Sequence, residues 1–586
     1  MFLLSKLSEN KANLIRESTE SKISDCKGYD IGEWNLKVFE GVRNKSVYQT
    51  GNKDQGGVLI GTPMYKNLPL NHILNQLLTD FLTGKLELDQ LKGNYIFILW
   101  RDEKITILND KLGEQSIFHN EISSSISSSF LLLLRNSNHK FKINQNALQE
   151  KLSTGFNLGS ETLVNGIRKI LPNNPLEFPV LNNINWAKHE YKKIDEIRLH
   201  DKGRDQSLND QANQLGGYFT QINNTFKDQI GDLGLSSGFD CRLILSLADK
   251  HIDNKLHLHS HNTKGVHDTE IKYAKEIAEL YRTQIDLIPT ERLEKYEDKR
   301  LEEILTENLN FFDGISARHL GAYSETYTFD YKKSTLGNSE YSLNGLGGEI
   351  YRDSYFTGSK KMNWNDWVNR YIFLPFSEES VGSPQQLNNT SDYIRSKLEK
   401  QLDVDFDKMD MFSTHAYYGL IKMPQCNGSV ASAYGKASPF LMPFIEYDNV
   451  IEALKATPYL GIGGQYQAEL ITRTAPALAK VGSHYGFSFD SLSTKYLVWS
   501  KLKTLGSVKR RNKLVKNQLI KRMNSSSYSE IINMIREKKV LNKAKEVLLD
   551  YSPHTDFDKM LIESTQRRYI IYLGFMLKEL SDYIEK

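Results

Sequence analysis

The middle of the chain predicts an α/β domain, a parallel sheet flanked by helices, and three stretches carry that prediction. Leu233 to Leu235 is an extended apolar approach that breaks into a small-residue loop, Ser236-Ser237-Gly238-Phe239-Asp240. The chain then re-enters order as the apolar-periodic run Leu243-Ile244-Leu245-Ser246-Leu247-Ala248. Lys255 to Ser260 alternates apolar and polar residues like a strand, and Ile271, Ala274, Ile277, Ala278 and Tyr281 follow at helical spacing. Tyr341-Ser342-Leu343 is a third extended stretch, running into Asn344-Gly345-Leu346-Gly347-Gly348-Glu349. Strand, helix, strand in succession is the order of a parallel sheet, whose ligands gather at the strand ends.

The first loop has the makings of an anion site. Free N–H groups of the loop and the positive end of the following helix point at one spot. An Asp inside such a loop, here Asp240, adds a hard oxygen ligand for Mg²⁺. Asp268 stands where the second helix needs a cap. The glycines at 345, 347 and 348 let backbone come close to a ligand, and Glu349 offers a second carboxylate. Histidines cluster at 257, 259, 261 and 267, and strand alternation puts two of them on one face. No cysteine or further ligand pattern joins them, so the reading is a structural one rather than zinc.

Composition sets the outer bounds. A chain of 586 residues holds two to four domains, and 39% hydrophobic with 25% charged residues is a soluble globular balance. No run of 18 apolar residues suggests a membrane span, and the short apolar patch Met1 to Leu4 is no signal peptide. Three scattered cysteines give no disulfide framework, which favours the cytoplasm. A net charge of +3 implies no particular partner, nucleic acid included. Lys501, Lys503, Lys509, Arg510, Arg511, Lys513, Lys516, Lys521 and Arg522 form a basic stretch. It reads as a solvated helical face, with an acidic peptide, a carrier or nucleic acid as the alternative. Tyr528 to Tyr551 and Lys559 to Ile584 read as amphipathic helices, and Asp195 to Asp210, charged and without apolar periodicity, as a linker.

The loop at 236–241 resembles the pyrophosphate loop, Ser-Gly-Gly-x-Asp-Ser, of N-type ATP pyrophosphatases. In particular it is similar to the synthetase domain of asparagine synthetases and β-lactam synthetases. Ser236 and Asp240 fall on the family's Ser and Asp, while Ser237 replaces a Gly and Cys241 a Ser. The resemblance implies an adenine nucleotide α-hydrolase-like fold that uses ATP and Mg²⁺. It places pyrophosphate on Ser236, Ser237, Gly238 and Cys241, adenine near Ser260 or His261, and the closing loop at Asn344 and Gly345. Mg²⁺ falls to Asp240 and Glu349. Ala479-Lys480-Val481-Gly482 resembles the Lys-x-Gly segment of β-lactam synthetases, which makes Lys480 the catalytic lysine. Ser438 to Glu446 resembles a Pro-Phe-Leu-Asp stretch of the family with a packing role.

Four runs further forward resemble the glutaminase domain of asparagine synthetases: Gly93 to Phe97, Asn109 to Gly113, Ile126 to Ser129 and Glu161 to Pro172. They imply an α+β, Ntn-hydrolase-like β-sandwich. Its nucleophile, a cysteine next to the initiator Met, is replaced by Phe2, and Cys26 is the first cysteine. Gly61 to Asn67 does not read as the family's Asn-Gly-Glu loop. The expectation is therefore a glutaminase-inactive domain over 1–190, a linker over 191–212, a synthetase domain over 213–500 and a helical extension over 501–586. The activity so implied is adenylation of a small-molecule or peptide carboxylate, followed by attack of an amine or ammonia. A homo-oligomer or a partner protein fits the same picture.

Leu346 stands where asparagine synthetases carry Glu and β-lactam synthetases Tyr, the residue that helps deprotonate the amine. Tyr351 and Glu378 are candidate substitutes. The departure points to a tailoring ligase or cyclase, as among lasso-peptide cyclases. An ammonia-fed asparagine synthetase-type enzyme and a non-catalytic binding homologue remain as alternatives. A sulfur-inserting tRNA enzyme of the same class fits less well, since no paired catalytic cysteines are evident.

Overall fold

Alternating apolar residues build the front of the molecule into two facing sheets. The computed structural model describes residues 1–6, 25–40, 46–174, 178–198, 202–262, 268–291, 296–315, 325–505, 508–523, 529, 532–533 and 536–585. One sheet contains β1 (Phe2–Lys6), β2 (Asp25–Ile31) and β3 (Trp34–Glu40), with β8 (Phe118–Asn120), β9 (Ser125–Ser127) and β10 (Ile167–Lys169). Its order is β10-β8-β9-β1-β3-β2, antiparallel throughout. The other holds β4 (Val47–Gly51), β5 (Gln55–Met64), β6 (Lys92–Arg101), β7 (Lys104–Asn109) and β11 (Ile184–Trp186), in the order β11-β7-β6-β5-β4.

The period of two decides what each face buries. Along β6, Ile96, Ile98 and Trp100 point between the sheets and meet Phe2, Leu4, Trp34 and Leu36. Phe97 and Leu99 point the other way, into a core shared with Ile73, Leu74 and Leu77 of α1 (Leu70–Leu82). The front of the chain is therefore an α+β sandwich.

The third sheet is wholly parallel. Its strands are β12 (Gly231–Gly234), β13 (His257–Asn262), β14 (Ile285–Pro289), β15 (Tyr341–Leu343) and β16 (Phe440–Leu441), in the order β14-β13-β12-β15-β16. Helix α2 (Arg204–Thr225) precedes β12, α3 (Phe239–His251) joins β12 to β13, and α4 (Asp268–Leu280) joins β13 to β14. From β12 the chain winds outward through β13 and β14, then returns to lay β15 on the other side of β12. The crevice beyond the carboxyl ends of β12 and β15 is thus the point where the strand order reverses, the usual ligand site of such a sheet.

The two parts are welded by polar contacts. The Gly93 amide donates to Glu446 Oε2 at 2.7 Å, Asn94 Nδ2 to the Phe440 carbonyl at 2.7 Å, and the Phe440 amide to Thr62 Oγ1 at 2.9 Å. Burial is the main force holding the Glu446 carboxyl up at about 7, with Asp448 adding to it. The segment expected as a linker contains the helix Ile194–Arg198 and the opening of α2, where Leu208 and Gln211 are buried. The terminal helices Lys539–Tyr551 and Ser564–Glu579 turn back onto the front domain, sharing a core with Phe118 and Leu131 to Leu134. Among the described residues no helix is long and apolar enough to cross a membrane.

Candidate nucleotide site at the sheet switch point

The loop after β12 is stitched by its own side chains. Gly238 caps α3 in an extended conformation, and its amide donates to Ser236 Oγ at 3.2 Å. The Cys241 thiol donates to the Ser236 carbonyl and accepts from the Ser236 amide, both at 3.2 Å. Burial pushes that thiol up, so it stays protonated and serves as a staple. Ser237 is fully buried. Its Oγ lies 2.7 Å from His484 Nδ1 and accepts from the His484 amide at 3.1 Å.

The loop after β15 comes up against Asp240 through absent side chains. The Asn344 amide donates to the Leu441 carbonyl at 3.0 Å, and Asn344 Oδ1 accepts from the Leu346 amide at 2.9 Å. Gly347 has φ +93°, and a Cβ on Gly348 would stand 2.2 Å from Asp240 Oδ1. A Cβ on Gly345 would stand 3.0 Å from Asp240 Cβ. Only glycine lets the two loops approach this closely.

The two carboxylates converge, and the group between them is Arg352. Its guanidinium grips Asp240 with two bonds, Nη1 to Oδ1 at 2.9 Å and Nη2 to Oδ2 at 3.1 Å. The same Nη2 lies 3.5 Å from Glu349 Oε1. Gln467 completes the clamp, accepting from Arg352 Nη1 at 2.7 Å and donating to Asp240 Oδ1 at 2.9 Å. Glu349 Oε2 accepts from the Tyr418 hydroxyl at 2.6 Å. Tyr418 lies on a π-helical turn, Tyr417–Lys422, a distortion that recurs at functional sites. Burial pushes the Asp240 carboxyl up and Arg352 only partly offsets it. At Glu349 burial also pushes upward, but Arg352 and the Tyr418 hydroxyl prevail and the carboxyl titrates below its ordinary range.

Beyond Glu349 the cluster opens outward. Lys422 Nζ donates to the Tyr355 hydroxyl at 2.9 Å, and both line a groove of about 950 Å³ walled by residues of 369–378 and by the basic helix Val508–Met523. Glu378, one candidate base, lines this groove. Tyr351, the other, is fully buried with its hydroxyl 3.5 Å from the Gln211 amide nitrogen, closed off from it.

Segment 478–489 lies against the first loop. The buried Arg242 donates to the carbonyls of Val481, at 2.7 Å, and Gly482, and the Phe489 ring stacks on Phe239 at 4.0 Å. Lys480 is exposed on this segment, with no side-chain partner among the described residues. Ser260 is buried in β13 opposite Leu287, and His261 Nδ1 lies 2.7 Å from the Tyr331 hydroxyl.

His257 and His259 share a sheet face, as alternation required, and meet Asp232. Asp232 Oδ1 lies 2.6 Å from His259 Nδ1, and its Oδ2 accepts from Ser342 Oγ at 2.9 Å and Lys332 Nζ at 3.2 Å. Asp232, His257 and His259 are close enough to share a metal ion. Lys332 pairs with the other oxygen of the same carboxylate, and the set ties β12, β13 and β15 together. His267 lies outside the described residues, as do the side chains of Lys509, Arg510, Arg511 and Arg522.

Comparison with known proteins adds to the front domain. A family model described as a glutamine amidotransferase domain matches residues 76–191, the later part of the region 1–190 where a glutaminase-like domain was expected and one residue beyond it. No curated protein matches the chain. Among solved structures, the U34-tRNA thiolase NcsA from Methanococcus maripaludis with its 4Fe-4S cluster aligns at 13% identity and a TM-score of 0.21. The alignment covers 60% of this chain and 84% of that one, and at that score it carries no argument.

Proposed function

We propose that the chain is an ATP-dependent, AMP-forming carbon–nitrogen ligase of the asparagine synthetase and β-lactam synthetase kind, a cytoplasmic tailoring ligase or cyclase without glutaminase activity of its own. The observation that carries the proposal is the meeting of Asp240 and Glu349, from separate loops, at the reversal point of a parallel sheet. The amidotransferase-domain match in the front half supports the same reading.

In the proposed reaction an oxygen of the substrate carboxylate attacks the α-phosphate of ATP. The bond to the β-phosphate's bridging oxygen breaks, giving an acyl-adenylate and pyrophosphate. An amine or ammonia then attacks the activated carbonyl, AMP leaves with the bonding electron pair, and the nitrogen gives up a proton. Ser236, Gly238 and the first-turn N–H groups of α3 hold the pyrophosphate end. Asn344 and Gly345 border the nucleotide and Ser260 lies toward its base. Asp240 and Glu349 would hold Mg²⁺, which when bound supplies charge neutralisation on the phosphates. Lys480, exposed on the segment packed against the first loop, stabilises negative charge in the transition state. Leu346 cannot take the amine's proton, and in this reading Glu378, which lines the groove, takes that role.

One observation favours a second reading: with Arg352 on Asp240, the site is also that of a homologue that binds nucleotide or a partner protein without turnover. Exchange of labelled pyrophosphate into ATP, in the presence of candidate carboxylates, separates the two. Carboxylate-dependent exchange supports the ligase, and none across a broad panel, with ATP bound, leaves the binding homologue. Turnover that depends on added ammonia identifies the asparagine synthetase-type variant.

A further inference from the structure

The clamp around Arg352 bears on how a divalent cation could enter. Two carboxylates from different loops offer hard oxygens to one point, as a cation site requires. Among the described residues that point is filled by a guanidinium with two bonds to Asp240, a third contact at 3.5 Å to Glu349 and a fourth at 2.7 Å to Gln467. The Phe239 ring lies 5.3 Å from the guanidinium carbon. The Arg352 side chain is 15% exposed and that of Asp240 25%, so a small cation reaches the cluster from solvent. A divalent ion and the guanidinium cannot both take the near oxygens of Asp240.

We propose that Arg352 is an internal counter-cation, a positioning residue that holds Asp240 and Glu349 together in the nucleotide-free protein and must release Asp240 before a divalent ion binds there. Ion entry is then a cation exchange. Mg²⁺ alone competes poorly with a bidentate pair, whereas Mg²⁺ arriving with ATP brings phosphate oxygens that the freed guanidinium can grip. The site thereby discriminates against metal without nucleotide. The inference concerns the same site as the ligase reading but needs only that the two carboxylates take a divalent ion.

The test is Mn²⁺ titration of the full chain followed by electron paramagnetic resonance, without nucleotide and then with a non-hydrolysable ATP analogue. Without nucleotide, Arg352→Gln should bind Mn²⁺ at least tenfold more tightly than the wild type, and adding Asp240→Asn should abolish the gain. With the analogue, the wild type should close most of that gap. If thermal melting shows Arg352→Gln unfolded, Arg352→Lys decides: its single-ended ammonium clamps less well, and a gain of threefold or more is expected. Mn²⁺ affinity unchanged or weakened in the folded variant overturns the proposal, since a purely structural arginine would produce that result. Tightened Mn²⁺ binding with no pyrophosphate exchange would sink the ligase reading and leave this inference standing. Exchange with unchanged Mn²⁺ affinity would do the reverse.

Discussion

Gly348→Ala tests the convergence of the two loops with a single methyl group. The added Cβ would stand 2.2 Å from Asp240 Oδ1 and 2.6 Å from its Cγ. Ordinary contact needs about 3.5 Å, so one partner must retreat by roughly 1 Å. Helix α3 anchors Asp240 and the Gly347 turn anchors the other side, so the carboxylate gives way. Its bonds to Arg352 at 2.9 and 3.1 Å and to Gln467 at 2.9 Å then lengthen past usefulness. Charged hydrogen bonds are worth about 1.5–3 kcal/mol, and the partial exposure of this pair reduces that. Adding overpacking of about 1–3 kcal/mol, a stability loss of about 2–4 kcal/mol is expected. A 1 Å displacement of a positioning group costs up to about a hundredfold in function, so ATP affinity should fall ten- to a hundredfold. Calorimetric ATP titration and thermal melting read the two effects. Gly217→Ala on α2, whose Cβ would meet nothing within 4 Å, is the neutral control. A Gly348→Ala protein that binds ATP within twofold of wild type would refute the reasoning.

Other expected outcomes follow from the same geometry. Glu446 favours its neutral form in the fold, with its carboxyl raised from 4.5 to about 7, so its contribution is present below 4.5 and lost as pH rises to 7. That shift corresponds to about 3 kcal/mol. Glu446→Gln, which still accepts from the Gly93 amide, should flatten this part of the profile in denaturant titrations at pH 4.5 and 7.5. An unchanged slope would remove Glu446 as its source. Lys480→Ala should lower turnover about a hundredfold at unaltered melting temperature, and near-normal turnover would take Lys480 out of the mechanism. Cys241→Ser replaces the thiol staple of the first loop with a hydroxyl and should leave ATP affinity within about threefold, read by the same calorimetry.

The elements around the site were legible because each announces itself locally. The strand-to-helix switch at 233–248 is a change of apolar period interrupted by small residues, and the glycines at 345–348 mark a turn that side chains would block. Alternation put His257 and His259 on one face, and that is where they lie. What stayed hidden is tertiary. Arg352 carries no signal beyond standing three residues after Glu349. Gln467 and Tyr418 reach the loops from elements far along the chain, and nothing in their own neighbourhoods marks them; His484 lies four residues after Lys480 in a stretch marked for that lysine, not for the histidine. The charge-rich stretch expected as a linker hides the first turns of α2, because polar residues on a solvated helical face obscure the buried Leu208 and Gln211. The π-helical turn at 417–422 likewise follows from packing and not from composition.

The most direct measurement is calorimetric titration of ATP, with Mg²⁺ present, into the wild type, Asp240→Asn and Glu349→Gln. Saturable one-to-one binding by the wild type, weakened at least tenfold in each folded variant, is the predicted result. No binding by the wild type, or equal binding by all three, would contradict it.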